Sequence, residues 1–219
     1  LNYLSHFYIS NKTGNYYYNL GLILPDISRG YVKTFKHETP LNHEELHWLQ
    51  QGCLQHYKDD KTFHASPFFK HGIEICTLLV NNAGFSSKIN RKWFLGHILF
   101  ELFIDRVLVK HINGLATTFY HNLQQIDYKQ LNGFLNLHHC TNTAQVTTSV
   151  KNFTQAAYIR NYPDNNLFVY SLTNIMMRAK AGEFNLSDKL ILSDCVNQLE
   201  NLILKDKLSL LYLLHNTFK

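Results

Sequence analysis

His56, Asp60 and His64 stand four residues apart twice over, in the stretch Gln55-His56-Tyr57-Lys58-Asp59-Asp60-Lys61-Thr62-Phe63-His64. On an α-helix each step of four turns the side chain by only about 40° and rises roughly 6 Å, so neighbours in the row share a face. The spacing recurs about forty positions on, in His97, Glu101 and Asp105. Imidazole and carboxylate together suit Mn²⁺, Fe, Ni²⁺ or Zn²⁺, and speak against a thiolate zinc site or a calcium loop. Two facing helices with ligands at i and i+4 are one way to build a metal pocket in a helical protein. Each row can equally be a ladder of surface ion pairs. The second can be a buried network, His97–Glu101 or Asp105–Arg106, that fixes packing.

The elements that must position these residues are legible from periodicity. From Arg91 to His111 the chain is apolar nearly all round (Trp93, Phe94, Leu95, Ile98, Leu99, Phe100, Leu102, Phe103, Ile104, Val107, Leu108, Val109). A helix of that pattern sits inside the protein. His97, Glu101 and Asp105 interrupt it, so at least some of them are buried, and a buried carboxylate persists only when paired, hydrogen-bonded or bound to a cation. Upstream, Thr39-Pro40-Leu41-Asn42-His43-Glu44-Glu45 reads as a helix start with Asn42 as N-cap and Glu45 at N3, leading to an apolar stripe of Leu46, Leu49, Cys53 and Tyr57. Ser66-Pro67 caps a further helix over 68–79. Residues 2–9 fit strand or helix, and Pro25 breaks the apolar run from Tyr16 to Ile23. The remainder predicts helices over roughly 114–124, 127–137, 144–160, 165–180 and 187–217. The expected architecture is all-α, one multi-helix domain over residues 1–219 with a metal pocket between central helices.

Other polar residues divide between structure and chemistry. His6, in an aromatic segment, is either a satisfied core histidine or a ligand, and spacing does not decide. Asp26 after Pro25 suits the first turn of a helix. Asp59, pointing about 100° away from Asp60, is expected in solvent. His43 and His47 belong to an exposed charged face, His138-His139 to a surface loop, and Met176-Met177-Arg178 to core plus a flanking charge.

Composition narrows the class. The chain is 45% hydrophobic, 17% charged and 14% aromatic, which suits a folded globular protein rather than a disordered one. Thirteen histidines raise the prospect of metal or acid–base chemistry. A net charge of +5 with scattered lysines does not point to nucleic acid, and suits an acidic partner. With no apolar run of membrane-spanning length and no signal-peptide pattern at the first residues, the expected compartment is the cytoplasm. The four cysteines (Cys53, Cys76, Cys140, Cys195) form no CxxC pair and read as free thiols. No nucleophile elbow, P-loop, GxGxxG or HExxH motif occurs.

Four separated stretches together resemble the acyl carrier protein phosphodiesterase (acyl carrier protein hydrolase) family, helical enzymes distantly similar to HD-type metal phosphohydrolases. They are Asn2-Tyr3-Leu4-Ser5-His6; Leu20-Gly21-Leu22-Ile23-Leu24-Pro25-Asp26 closed by Arg29-Gly30; Gly52 to Pro67 with its Gly-x-x-x-His-x-x-x-Asp spacing; and Glu101 to Leu108. Order and approximate spacing agree over about the first 110 residues. The chain departs from the family's pattern at Phe63-His64, where the family has Thr-Asp, at Ser66 for its His, at Glu101 for its first helical Asp, and at Arg106 for the His after its second. What the resemblance implies is hydrolysis of the phosphodiester that joins 4′-phosphopantetheine to holo acyl carrier protein, with a divalent metal, usually Mn²⁺. Its implied ligands are His6, Asp26, His56 and Asp60, with His64, His97 and Glu101 competing for the role. Asp60 and Asp105 are the implied catalytic carboxylates, Asp105 as proton acceptor or as support for a ligand. Arg29 or Lys61 would neutralise the phosphate. Hydrolysis of another phosphoester, such as a nucleotide, and a non-catalytic helical scaffold with a buried polar network are the other readings; the oligomeric state is not legible.

Overall fold

Segments rich in Leu, Phe and His, with little two-residue alternation, fold as helices. The computed structural model describes residues 1–36, 43–203 and 207–218, and the protein is all-α. Its helices are α1 (Tyr3–Ser10), α2 (Tyr16–Gly21), α3 (Leu24–Ile27), α4 (Glu44–Ala65), α5 (Pro67–Asn82), α6 (Lys92–His111), α7 (Leu115–Gln124), α8 (Tyr128–Leu137), α9 (Thr143–Ala156), α10 (Asn165–Arg178), α11 (Leu186–Ile203) and α12 (Lys207–Asn216). The ambiguous segment over residues 2–9 is helical. The expected N-cap at Asn42 lies outside the described residues, as does the junction between α11 and α12 that a single helix over 187–217 would have to bridge.

Side-chain caps fix several starts. Ser66 Oγ accepts the Phe69 N–H at 3.1 Å with Pro67 in the first turn, as expected. Asn15, Asp127, Asn142 and Asp164 cap α2, α8, α9 and α10 in the same manner. The helix expected over 144–160 is shorter, because Ala157 turns into the left-handed region (φ 45°) and ends α9; a 3₁₀ turn over Tyr158–Asn161 follows.

The chain divides into two compact units, Leu1–Lys61 with Ile112–Arg160, and Thr62–His111 with Asn161–Lys219. The boundary falls inside α4, which explains why no Pro/Gly-rich or polar linker marks it in the sequence.

In the first unit, α1, α2 and α3 pack with α7 and α9 around a ring cluster: Phe7 meets Phe119 at 5.3 Å, and Tyr3 meets Phe153 at 4.8 Å. Asn19 Nδ2 donates to Asn122 Oδ1 at 2.8 Å, a buried polar tie between α2 and α7. The crossing of α2 and α4 is close enough to exclude side chains: a Cβ on Gly52 would fall 2.1 Å from the Tyr18 carbonyl oxygen, and one on Gly21 2.4 Å from the Leu49 carbonyl oxygen. His138 is buried rather than at the surface: its ring packs on Phe134 (4.4 Å) and Phe35 (5.3 Å), while the neighbouring His139 is exposed. The tight turn that ends α8, with Cys140 N–H bonded to the Leu135 carbonyl, points the first imidazole inward.

In the second unit α5 packs along α6, and α10 and α11 close over them. Glycines again set the approach, since a Cβ on Gly72 would meet the Phe100 ring at 2.0 Å and one on Gly96 the Thr77 hydroxyl at 2.7 Å. α6 is the interior helix its pattern predicts, with twelve of the residues from Leu95 to Leu108 buried. Arg106 is buried and anchors α6: Nε meets Glu200 Oε1 at 3.0 Å, and Nη1 and Nη2 donate to the Tyr162 carbonyl and Asn165 Oδ1. All four cysteines are free thiols. Among the described residues no helix is long and apolar enough to cross a membrane.

Candidate metal centres

Among the described residues, two groups of three side chains bring ligand atoms within 4.8 Å of one another: His6, His56 and Asp60 in the first unit, and His64, His97 and Glu101 in the second. The ladder His56–Asp60–His64 therefore serves two sites. Residues eight apart on a helix are roughly 12 Å apart along its axis and about 80° apart around it. One ion cannot be shared across that interval.

The first group starts from the Gly21–Gly52 contact. It brings the end of α2 against α4, and His56 Nδ1 then meets the Leu22 carbonyl at 2.8 Å. A carbonyl only accepts, so Nδ1 carries the proton and Nε2 is left with its lone pair. Nε2 faces Asp26 Oδ1 at 3.9 Å and Asp60 Oδ2 at 4.0 Å. Burial, reinforced by the neighbouring His6, lowers the His56 pKa to about 4, so the ring is a neutral ligand at pH 7.

His6 comes from α1 and stacks on His56, ring centroids 4.1 Å apart and planes 27° apart. It is fully buried, and neither ring nitrogen has a hydrogen-bond partner. Nε2 lies 3.3 Å from Asp60 Oδ1 and Nδ1 3.9 Å from Asp59 Oδ2, neither aligned as a hydrogen bond. Burial disfavours the imidazolium, but the Asp59 and Asp60 carboxylates more than offset it and hold the His6 pKa above its ordinary value. Asp60 shows the converse: burial raises its pKa, but the His6 imidazole lowers it, and the carboxyl stays well below the usual range. The Leu1 nitrogen donates to Asp60 Oδ1 at 2.9 Å.

This donor set fits a divalent metal. A wholly buried imidazole nitrogen that makes no hydrogen bond costs about 1–3 kcal/mol, and a metal at the centre of the group would offset that at the nitrogen facing it. His6, His56 and Asp60 would hold the ion, with Asp26 the nearest further carboxylate to His56.

Asp59, expected in solvent, is instead buried and supports the group from behind. It accepts from Ser10 Oγ and from Gln55 Nε2, both at 2.7 Å, and faces His6 Nδ1. A carboxylate behind a ligating imidazole fixes ring orientation and raises its basicity. The signal in the sequence was Gln55, four residues before Asp59 and thus on its face.

In the second group one carboxylate oxygen, Glu101 Oε1, meets His64 Nε2 and His97 Nε2, each at 3.1 Å. Glu101 is buried, and although burial opposes ionisation, the two imidazoles hold its carboxyl well below the usual range. Phe69 stands edge-on to both rings, centroids 4.5 Å from His64 and 5.2 Å from His97. Asp105, one turn further along α6, is fully buried and lies outside both groups. Arg29 and Lys61 are exposed. His43 and His47 are exposed, as expected. Set against protein-family models, curated proteins and solved structures, the chain matches none of them.

Proposed function

We propose that this protein is a metal-dependent phosphoester hydrolase whose ion is held by His6, His56 and Asp60, with Asp26 beside them. The observation that carries the reading is His6: a wholly buried imidazole with no hydrogen bond at either nitrogen, beside the Asp60 carboxylate and stacked on a second imidazole whose proton is pinned on its far side. A core histidine kept for packing alone would be hydrogen-bonded.

The stretches that resemble acyl carrier protein phosphodiesterases supply these four side chains, which favours a phosphodiester as substrate and the 4′-phosphopantetheine arm of holo acyl carrier protein as the first one to test. A divalent ion, Mn²⁺ by the resemblance or Fe, Ni²⁺ or Zn²⁺ by ligand type, supplies Lewis acidity toward a phosphoryl oxygen and acidifies water. The chain's own part is to present a neutral His56 Nε2, to keep Asp60 ionised, and to hold or release a proton at His6 between Asp59 and Asp60. Exposed Arg29 and Lys61, on the segments that carry Asp26 and Asp60, are available to a phosphate dianion or diester. Water adds to phosphorus, the P–O bond to the carrier serine breaks, and 4′-phosphopantetheine and the serine hydroxyl are released.

The test joins metal analysis with a substrate panel. Protein purified without added metal and then given Mn²⁺, Zn²⁺ or Ni²⁺ should gain thermal stability by ligand linkage. It should release phosphopantetheine from holo carrier protein faster than it cleaves simple phosphodiesters or nucleotides. Preference for a nucleotide would redirect the substrate and keep the site. Undiminished activity in the His56→Ala/Asp60→Ala double variant, or no binding of any of the three ions, would sink the proposal and leave the scaffold reading.

A further inference from the structure

We infer that His64, His97 and Glu101 form a second metal site, separate from the first, that takes a divalent transition ion of the zinc type and leaves coordination positions open to solvent. The inference does not rest on the proposed hydrolase activity. Its starting point is convergence. Two imidazoles from different helices, α4 and α6, direct Nε2 at a single carboxylate oxygen, each at 3.1 Å. Bonds of about 2.05 Å at tetrahedral angles separate neighbouring ligand atoms by roughly 3.3 Å, so these donors already stand close to the spacing an ion needs.

The surroundings are those of a built site. Ser66 caps α5 through the Phe69 N–H, and the Phe69 ring then lies edge-on against both imidazoles and limits their rotation. Gly72 lets α5 approach α6 closely enough for Phe100 to fill the space beneath, and Phe63 and Phe69 pack there as well. Glu101 is buried, whereas the His64 and His97 side chains are 36% and 27% exposed. The carboxylate thus forms the floor, the imidazoles form the rim, and the remaining positions face water. Two nitrogens and one oxygen with open positions match Zn²⁺, Co²⁺ or Fe²⁺, and exclude the all-oxygen preference of Ca²⁺ and Mg²⁺. A hydrogen-bonded triad alone would need both rings to donate Nε2–H to one oxygen; an ion replaces both protons.

Co²⁺ titration of the full chain after removal of metal reads the site directly, through the visible absorption of a low-symmetry Co²⁺ centre and through competition by Zn²⁺. Wild type should bind this equivalent in addition to any held by the first group. His64→Gln and His97→Gln should each weaken it at least about 100-fold, the upper scale for disturbing a metal site's supports. His56→Gln with Asp60→Asn should leave it in place, which separates its failure from failure of the first site. Retention of wild-type affinity in both His64→Gln and His97→Gln overturns the inference. Should either variant lose its helical circular dichroism, the histidine ring-nitrogen resonances of wild type decide instead. Zn²⁺ must shift Nε2 of His64 and His97, and unmoved resonances overturn the site.

Discussion

His56 donates its Nδ1 proton to the Leu22 carbonyl at 2.8 Å, and this bond decides what the other face of the ring can do. It fixes the tautomer, aims Nε2 between Asp26 and Asp60, and ties the chain just after α2 to the middle of α4. The backbone approach that permits it depends on Gly21 and Gly52, so two residues without side chains set the chemistry of one that has an imidazole.

Gly52→Ala tests that dependence. The new Cβ would lie 2.1 Å from the Tyr18 carbonyl oxygen and 2.8 Å from the Gly21 Cα, both backbone atoms that cannot step aside cheaply. Denaturant unfolding should register a loss of about 1–3 kcal/mol or more, with weaker metal binding at the first group. Gly133→Ala, where nothing lies within 4 Å of the added Cβ, is the control and should gain about 0.5–1 kcal/mol. Equal behaviour of the two variants would refute the close-crossing account.

The two stacked histidines should give the metal-free protein opposing pH limbs. His56 titrates at about 4 when folded because of burial and His6, against about 6.5 when unfolded. The unfolded chain therefore binds the extra proton between these values, and stability falls as pH drops through them. At roughly 1.4 kcal/mol per unit the full loss is on the order of 3 kcal/mol. His6, raised by Asp59 and Asp60 against the effect of burial, contributes stability that is complete below about pH 6.5 and is lost as pH rises through its folded value. Thermal unfolding with chelator across pH 4–8.5 should lose its acid limb in His56→Gln and its alkaline limb in His6→Gln. Saturating metal should reverse the alkaline limb, because a ligating imidazole must be neutral.

Asp59→Asn keeps the shape of the side chain and removes the charge behind His6 Nδ1. Ser10 Oγ and Gln55 Nε2 sit at 2.7 Å, and an amide can still accept from one of them, so the fold should survive. Metal affinity at the first group should fall about 10–100-fold by isothermal titration, the scale of losing a carboxylate behind a ligand. Unchanged affinity would mean that Asp59 serves α1–α4 packing alone.

Arg106→Ala should cost about 3 kcal/mol, since it strands Glu200, the Tyr162 carbonyl and Asn165 around a buried vacancy. Glu200→Ala should cost less, because Glu200 is partly exposed and its second partner, Lys110, can turn to water. Arg106→Lys should not restore stability, as one ammonium cannot reproduce the fork. Chemical denaturation of the three variants ranks them.

Apolar periodicity and the Ser66-Pro67 start act over a few positions and predict most of the helices, but they leave residues 2–9 open between strand and helix and overrun the turn at Ala157. Of the residues offered as ligands, His6, His56, Asp60, His64, His97 and Glu101 stand in one of the two groups that could hold a metal, while Asp26 stands beside the first without entering it. Tertiary structure decided their partition. Helical spacing places His56, Asp60 and His64 on one face, but the partner of each depends on which distant element reaches that height along α4: α1 for His56 and Asp60, α6 for His64. It also decided burial against local polarity. Asp59 and His138 look like solvent-facing residues from their neighbours in the chain, yet α1 covers the first and the Phe35–Phe134 pair covers the second. Burial is a property of what packs over a residue, and that is set by contacts across tens of positions that no local pattern encodes.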